Sequence, residues 1–271
     1  MIAVELSKLF RRPRTWMSLV LLDAFPTLVA ILLAITHAGP RPGQGPAFLA
    51  AVLSNGSLFA VAALAIVLPL FLPVAVAVIA GDSVAGEAQS GMLRYLLIRP
   101  VGRTRLLVAK LVAVITFVAT AVVLVAVTGL VVGRLLLGQS SLSTAVVSVS
   151  GTPLTPGQIA WRTVVAIGYV TFSMLGVAAI GVFLSTLTDS PLSASLGALA
   201  FLIGSSLLLT LDAARGLQPY LPTRYWLSFV DLFRDPILWR NVERGVLLQA
   251  VYVAVFLAAA WANFATKDVK S

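Results

Sequence analysis

Residues 106–132 read LLVAKLVAVITFVATAVVLVAVTGLVV, and this stretch decides the fold. It holds one charged residue, Lys110. As a helix rising about 1.5 Å per residue it would extend about 40 Å, more than the roughly 30 Å of hydrocarbon in a bilayer. Five further runs of the same character lie at 16–36, 58–80, 164–187, 191–211 and 246–264, and inside all six only Asp23 and Lys110 are charged. Of the 271 residues, 59% are hydrophobic and 11% charged, with a mean hydropathy of +1.02. A soluble domain carries about 25% charged residues. The expectation is an all-α integral membrane protein: one domain, residues 1–271, with six spans and no soluble nucleotide-binding domain.

The net charge of +9 sits between apolar runs and reads as topology rather than nucleic-acid binding. With both termini cytoplasmic, the inner segments carry 11 Lys and Arg and the outer ones 8, five of these in the last loop. The bias orients both ends inside, and the expected location is a prokaryotic plasma or inner membrane, multi-pass. A cleaved signal peptide competes for the first 40 residues. The apolar run is too long for one and no A-x-A site follows, so it is read as a retained span.

Three segments outside the spans are patterned. Met1 to Thr15, MIAVELSKLFRRPRT, alternates apolar residues with Glu5, Lys8, Arg11 and Arg12 at helical spacing, which predicts an amphipathic interface helix on the inner face. Its bases either anchor the first span to anionic lipid or touch a protein. The inner loop 81–105, GDSVAGEAQSGMLRYLLIRPVGRTR, places Glu87, Gly91 and Arg94 on one helical face and Met92, Leu93, Leu96 and Leu97 on another. Pro100 closes that helix, and Arg103, Arg105 and Lys110 mark re-entry at the headgroups. Its apolar face would bury against the protein's own spans, the membrane, or a docking cytoplasmic partner. The outer loop 212–245 carries Tyr225, Phe229 and Phe233 at i, i+4 and i+8, beside Trp226, and predicts an interfacial or re-entrant helix.

Several chemistries lack their parts. There is no cysteine and one histidine, His37, beside a Gly/Pro-rich stretch. Gly81 and Gly86 have the spacing of a phosphate-binding loop, but Glu87 stands where Lys must follow. Around Ser83, Ala85 replaces the second glycine of a nucleophile elbow. No HExxH or paired-carboxylate motif appears, so no catalytic, cofactor or metal residue is assigned. Asp23, an intramembrane acid near Pro26, is a candidate for proton or cation coupling. The other reading pairs it with an Arg or a hydroxyl near the Pro26 kink.

The order Gly81-Asp82, Glu87-x-x-x-Gly91-x-Leu93, Leu96-Leu97-x-x-Pro100-x-x-Arg103 resembles the permease subunits of ABC-2 type ABC transporters. So do the N-terminal Glu5-Leu6-x-Lys8-Leu9-x-Arg11-Arg12-Pro13 and the Leu221-Pro222-Thr-x-Tyr225-Trp226 stretch before the last span. The resemblance implies a transmembrane subunit of an ATP-driven exporter without its own hydrolytic site. Residues 87–97 would be the coupling helix that enters a cleft of a separate ATP-binding cassette ATPase, which binds ATP and Mg. A second permease subunit, identical or related, would complete the path. The rival is an ion-gradient-driven secondary transporter or channel with Asp23 as coupling residue. A third reading is a membrane scaffold without transport.

Overall fold

A computed structural model describes residues 1–36, 56–91, 102–137, 146–148, 150 and 152–266. Its α-helices are α1 (Ile2–Arg11), α2 (Pro13–Thr36), α3 (Phe59–Val67), α4 (Phe71–Gln89), α5 (Arg103–Leu136), α6 (Pro156–Leu187), α7 (Pro191–Thr210) and α8 (Trp239–Thr266). Six of them, α2 and α4 to α8, are long and apolar enough to cross a membrane. The described non-α structure includes a two-residue antiparallel pair, β1 (Val146–Val147) with β2 (Pro153–Leu154), and short 3₁₀ turns between 212 and 233.

Local chemistry sets the helix ends. In Thr155-Pro156-Gly157-Gln158, the Thr155 side chain accepts from the Gln158 backbone N–H, and the Gln158 side chain accepts from that of Thr155. This reciprocal cap with Pro at the first helical position starts α6 eight residues before the apolar run at 164. Ser190 accepts from the Ser193 N–H and Pro191 opens α7 in the same way. At the end of α4, Gly91 adopts φ +69°, a left-handed conformation that glycine takes without a Cβ penalty.

The 58–80 run is not one helix. It divides into α3 and α4 at Leu68–Leu70, where Leu70 leaves helical geometry at φ −137° and ψ −60°. Pro69 and Pro73 explain the break. Neither can donate to the carbonyl four residues back, and their rings crowd those carbonyls.

Helices α4, α5 and α6 form the centre, while α2, α7 and α8 are exposed along most of their length. The peripheral helices present Leu21, Leu28, Leu196, Leu207, Leu247 and Val251 outward, as helices facing hydrocarbon do. Lipid is as apolar as these side chains, so close packing rather than hydrophobicity must hold the centre together. Small residues supply it: Ala63, Ala77, Ala80, Ala121, Ala178 and Ala179 are buried. At Gly133 of α5 the backbone meets Gly56 so closely that a Cβ on either would fall within 2.3 Å of the other's carbonyl oxygen.

Side-chain contacts fix the direction of every span. One end of the bundle gathers α1, the start of α2, the end of α4, the start of α5, the end of α6, the start of α7 and the end of α8. There Arg12 meets Asp82, Lys110 meets Glu87, Ser185 bonds Gly81, and Arg103 donates to the Ala265 carbonyl at 2.8 Å. The start of α1 and the end of α8 therefore share this end. The 212–238 segment caps the opposite one, held by Arg162 to the Arg234 carbonyl (2.9 Å), Tyr169 to the Tyr225 carbonyl (2.6 Å) and Gln249 to the Pro222 carbonyl (2.7 Å).

Candidate functional site

Four charged side chains close a ring where α1 meets α4 and α5. Lys8 of α1 donates to Glu5 at 3.1 Å and to Glu87 of α4 at 3.1 Å. Lys110 of α5 sits 2.6 Å from the other Glu87 oxygen and 3.5 Å from Glu5. Acids and bases alternate, so the ring is neutral. It is also deep: the Lys110 and Glu87 side chains are 2% and 4% exposed. Glu87 Oε2 makes its contact with Lys110 as an ion pair without hydrogen-bond alignment. Charges this buried persist only when paired.

The ring shifts its outer members in the expected directions. Burial pushes the Glu5 carboxyl up, but Lys110 and Lys8 outweigh it and hold it below its ordinary 4.5. Burial pushes the Lys8 ammonium down, and Glu87 with Glu5 outweighs this and holds it above its ordinary 10.5.

A second layer lies beside the ring. Asp82, one and a half turns before Glu87 on α4, pairs with Arg12 at the junction of α1 and α2, and Arg14 approaches it to 3.7 Å. The two layers line a small cavity of about 60 Å3 with Leu9, Thr15, Val78, Ile79 and Val114. That space admits a few waters and no nucleotide. The seven charges leave one net positive charge at the α2 start. Each acid faces a cation. Among the described residues no three His, Cys, Asp or Glu side chains gather as a metal site. What the arrangement does is mechanical: it makes α1, α4 and α5 one unit.

That unit is tied onward. The Ser185 hydroxyl of α6 donates to the Gly81 carbonyl (2.6 Å) and accepts from the Val84 and Ala85 N–H groups (3.0 and 2.9 Å), reaching into the backbone ladder of α4. On its other side Gly81 abuts Ser195 of α7, where a Cβ would lie 2.4 Å from the hydroxyl and 2.9 Å from the backbone nitrogen. Glycine at 81 is thus what lets α4 lie between α6 and α7.

The residues singled out in the sequence distribute as follows. Glu5, Lys8, Arg12 and Glu87 converge on the site; Arg11 is exposed on α1. Glu87 belongs to the last turn of α4, which ends at Gln89, and Gly91 just beyond it takes the left-handed conformation. Met92, Leu93, Leu96, Leu97 and Pro100 lie outside the described residues. Arg103 begins α5 and bonds α8. Asp23 accepts a hydrogen bond from the Thr128 hydroxyl of α5, the hydroxyl reading of that acid.

The aromatic segment departs from expectation. Residues Trp226–Phe233 form a 3₁₀ helix, and Trp226, Phe229 and Phe233 are buried in the bundle rather than turned outward. At three residues per turn, Trp226, Phe229 and Leu232 share the buried face. Tyr225, half-buried, contributes its carbonyl to Tyr169. Spacing by three was present in the sequence and points to this face. Asp82, Arg14, Lys110 and Ser185 are the site residues that span-and-loop reading missed as partners, although Lys110 had a signal as a base inside an apolar run, where a buried acid must answer it.

No curated protein matches the chain. A family model described as a protein of unknown function, DUF2705, matches residues 27–270, about nine-tenths of the chain, and includes Asp82, Glu87 and Lys110 while α1 precedes it. The chain belongs to the DUF2705 family.

Proposed function

We propose that this chain is the transmembrane permease subunit of an ATP-driven exporter of the ABC-2 type, coupled to a separate ATPase chain. The observation that carries the reading is the ring of Glu5, Lys8, Glu87 and Lys110. It joins α1 to the two helices that flank residues 92–101, the segment whose sequence resembles a coupling helix. A push on that segment would reach α4 and α5 at once, pass to α2 through α1, and reach α6 and α7 through Gly81, Ser185 and Ser195. The bias of Lys and Arg favours the cytoplasm for this end, which would lay α1 along the membrane surface. ATP and Mg belong to the partner, and a second permease subunit, identical or related, would complete the path. The few charges within the spans favour an apolar or amphipathic cargo. The Asp23 to Thr128 hydrogen bond supports an anchoring role for that acid rather than ion coupling.

The test is purification of the tagged chain from its native cells in mild detergent, with ATPase activity assayed on the same sample. A stoichiometric Walker-motif protein, released when Leu93, Leu96 and Leu97 are together changed to Ser, is the expected result. A chain that purifies alone and without ATPase activity, under conditions preserving other membrane complexes, overturns the proposal.

A further inference from the structure

A second concavity of about 340 Å3 opens at the charged end, between the start of α2, the last three turns of α4 and the first turns of α7. Its lining is graded. Gln89 and Ser190 stand at the end of the bundle, Arg14 reaches the level of Asp82, Val78 lies about one turn, or about 6 Å, deeper than Asp82 along α4, and Leu192 forms the α7 wall. The Arg14 side chain is 73% exposed, and the acid nearest it, Asp82, is already engaged by Arg12. Asp82, which also lines the groove, is thus shared by two guanidinium groups, and Arg12, Arg14 and Asp82 together carry one net positive charge at its mouth. Asp189, next in sequence to Ser190, is not part of the lining.

This charge sits where the apolar runs of α2 and α7 begin. Beyond it, Met17 and Leu21 of α2 and Leu196 of α7 are exposed. A groove with a cation at headgroup depth and apolar walls continuing into the hydrocarbon zone matches one molecule class, an amphipathic anion with an acyl chain. We propose that this groove binds one anionic phospholipid, its phosphate against Arg14 and a chain along Val78 and Leu192. The site stands on the six-span fold and on charge complementarity, independently of any ATPase partner.

The full chain, purified in mild detergent, is titrated with phosphatidylglycerol or phosphatidylcholine, and bound lipid per chain is counted by native mass spectrometry. Wild type is expected to retain phosphatidylglycerol about fivefold more tightly, the effect of one arginine near an anionic headgroup. Arg14→Gln abolishes the preference. Leu192→Trp, which fills the groove and keeps every charge, lowers retention of both lipids. Arg11→Gln, outside the groove, leaves the preference intact. The proposal is overturned if wild type shows no preference, if Arg14→Gln retains it, or if Arg11→Gln loses it equally, which would mean diffuse attraction to basic residues. It is overturned also if millimolar inorganic phosphate displaces the lipid completely, because the site would then be one for a free anion.

Discussion

Changing Lys110 to Met strikes the most buried member of the charge ring. The substitution preserves the length and apolar stem of the side chain and removes only the ammonium. Among the described residues Glu87, 4% exposed, is then left with Lys8 at 3.1 Å as its one cation. Removing one partner of a buried pair costs about 3–5 kcal/mol. Lys8 is one-third exposed and can follow Glu87, so the expected loss is about 2–4 kcal/mol. Glu87→Gln, which strands Lys110 with Glu5 at 3.5 Å, should cost a similar amount. The double variant removes one acid and one base together and leaves Glu5 with Lys8. It should fall within about 1 kcal/mol of wild type, since replacing a buried pair by neutral groups of like volume is close to neutral. Equilibrium unfolding in bicelles provides the free energies, and hydrogen exchange over residues 2–11 reports whether α1 has come away. The double-mutant cycle should therefore show a coupling of at least about 2 kcal/mol. Single variants within 0.5 kcal/mol of wild type, or a double variant equal to the sum of the singles, would refute the claim that the ring clamps α1 to α4 and α5.

Acid and base should loosen the same contact from opposite sides. Glu5 titrates lower in the folded chain, so its contribution is complete above 4.5 and is lost as pH falls through the folded value; Lys8 titrates higher, so its contribution is complete below 10.5 and is lost as pH rises through the folded value. Trp16, which donates its indole N–H to the Phe10 carbonyl, reports the docking by fluorescence, and a steep change near pH 7 would contradict the assignment. Gly133→Ala places a methyl against the Gly56 backbone, which no rotamer change relieves, and should lower stability by about 1–3 kcal/mol in thermal unfolding; an unchanged midpoint would show that α5 and the 56–58 turn separate easily. Asp23→Asn keeps an acceptor for Thr128 and should change stability by less than about 1 kcal/mol while leaving ATP-driven export intact. Abolished transport in that variant, with the protein still folded, would favour the ion-coupled rival.

Much of the fold is legible in particular residues. The 106–132 run alone requires a span, and the closing Ser190-Pro191 pair places the turn between α6 and α7. The division of 58–80 was also written in Pro69 and Pro73, yet hydropathy is blind to a missing N–H. The aromatic segment 225–233 misleads for another reason: the same residues satisfy a period of four and a period of three, and only packing against α6 and α8 selects the tighter helix. At the charged end, Glu5 and Lys8 are visible as an i, i+3 pair. Their meeting with Glu87 and Lys110 spans up to 105 positions and leaves no local trace.

By itself the sequence determined that this chain lives in a membrane, how many times it can cross, and where its charges are permitted, because the cost of burying an uncompensated charge or backbone in hydrocarbon acts residue by residue. The tertiary structure alone decided which charges answer one another. Lys110 inside an apolar run is tolerable only where Glu87 and Glu5 arrive from two other helices, and Gly81 is informative only once Ser185 and Ser195 close on it. Pairing energy depends on distance in space, and that distance is set by how the helices pack.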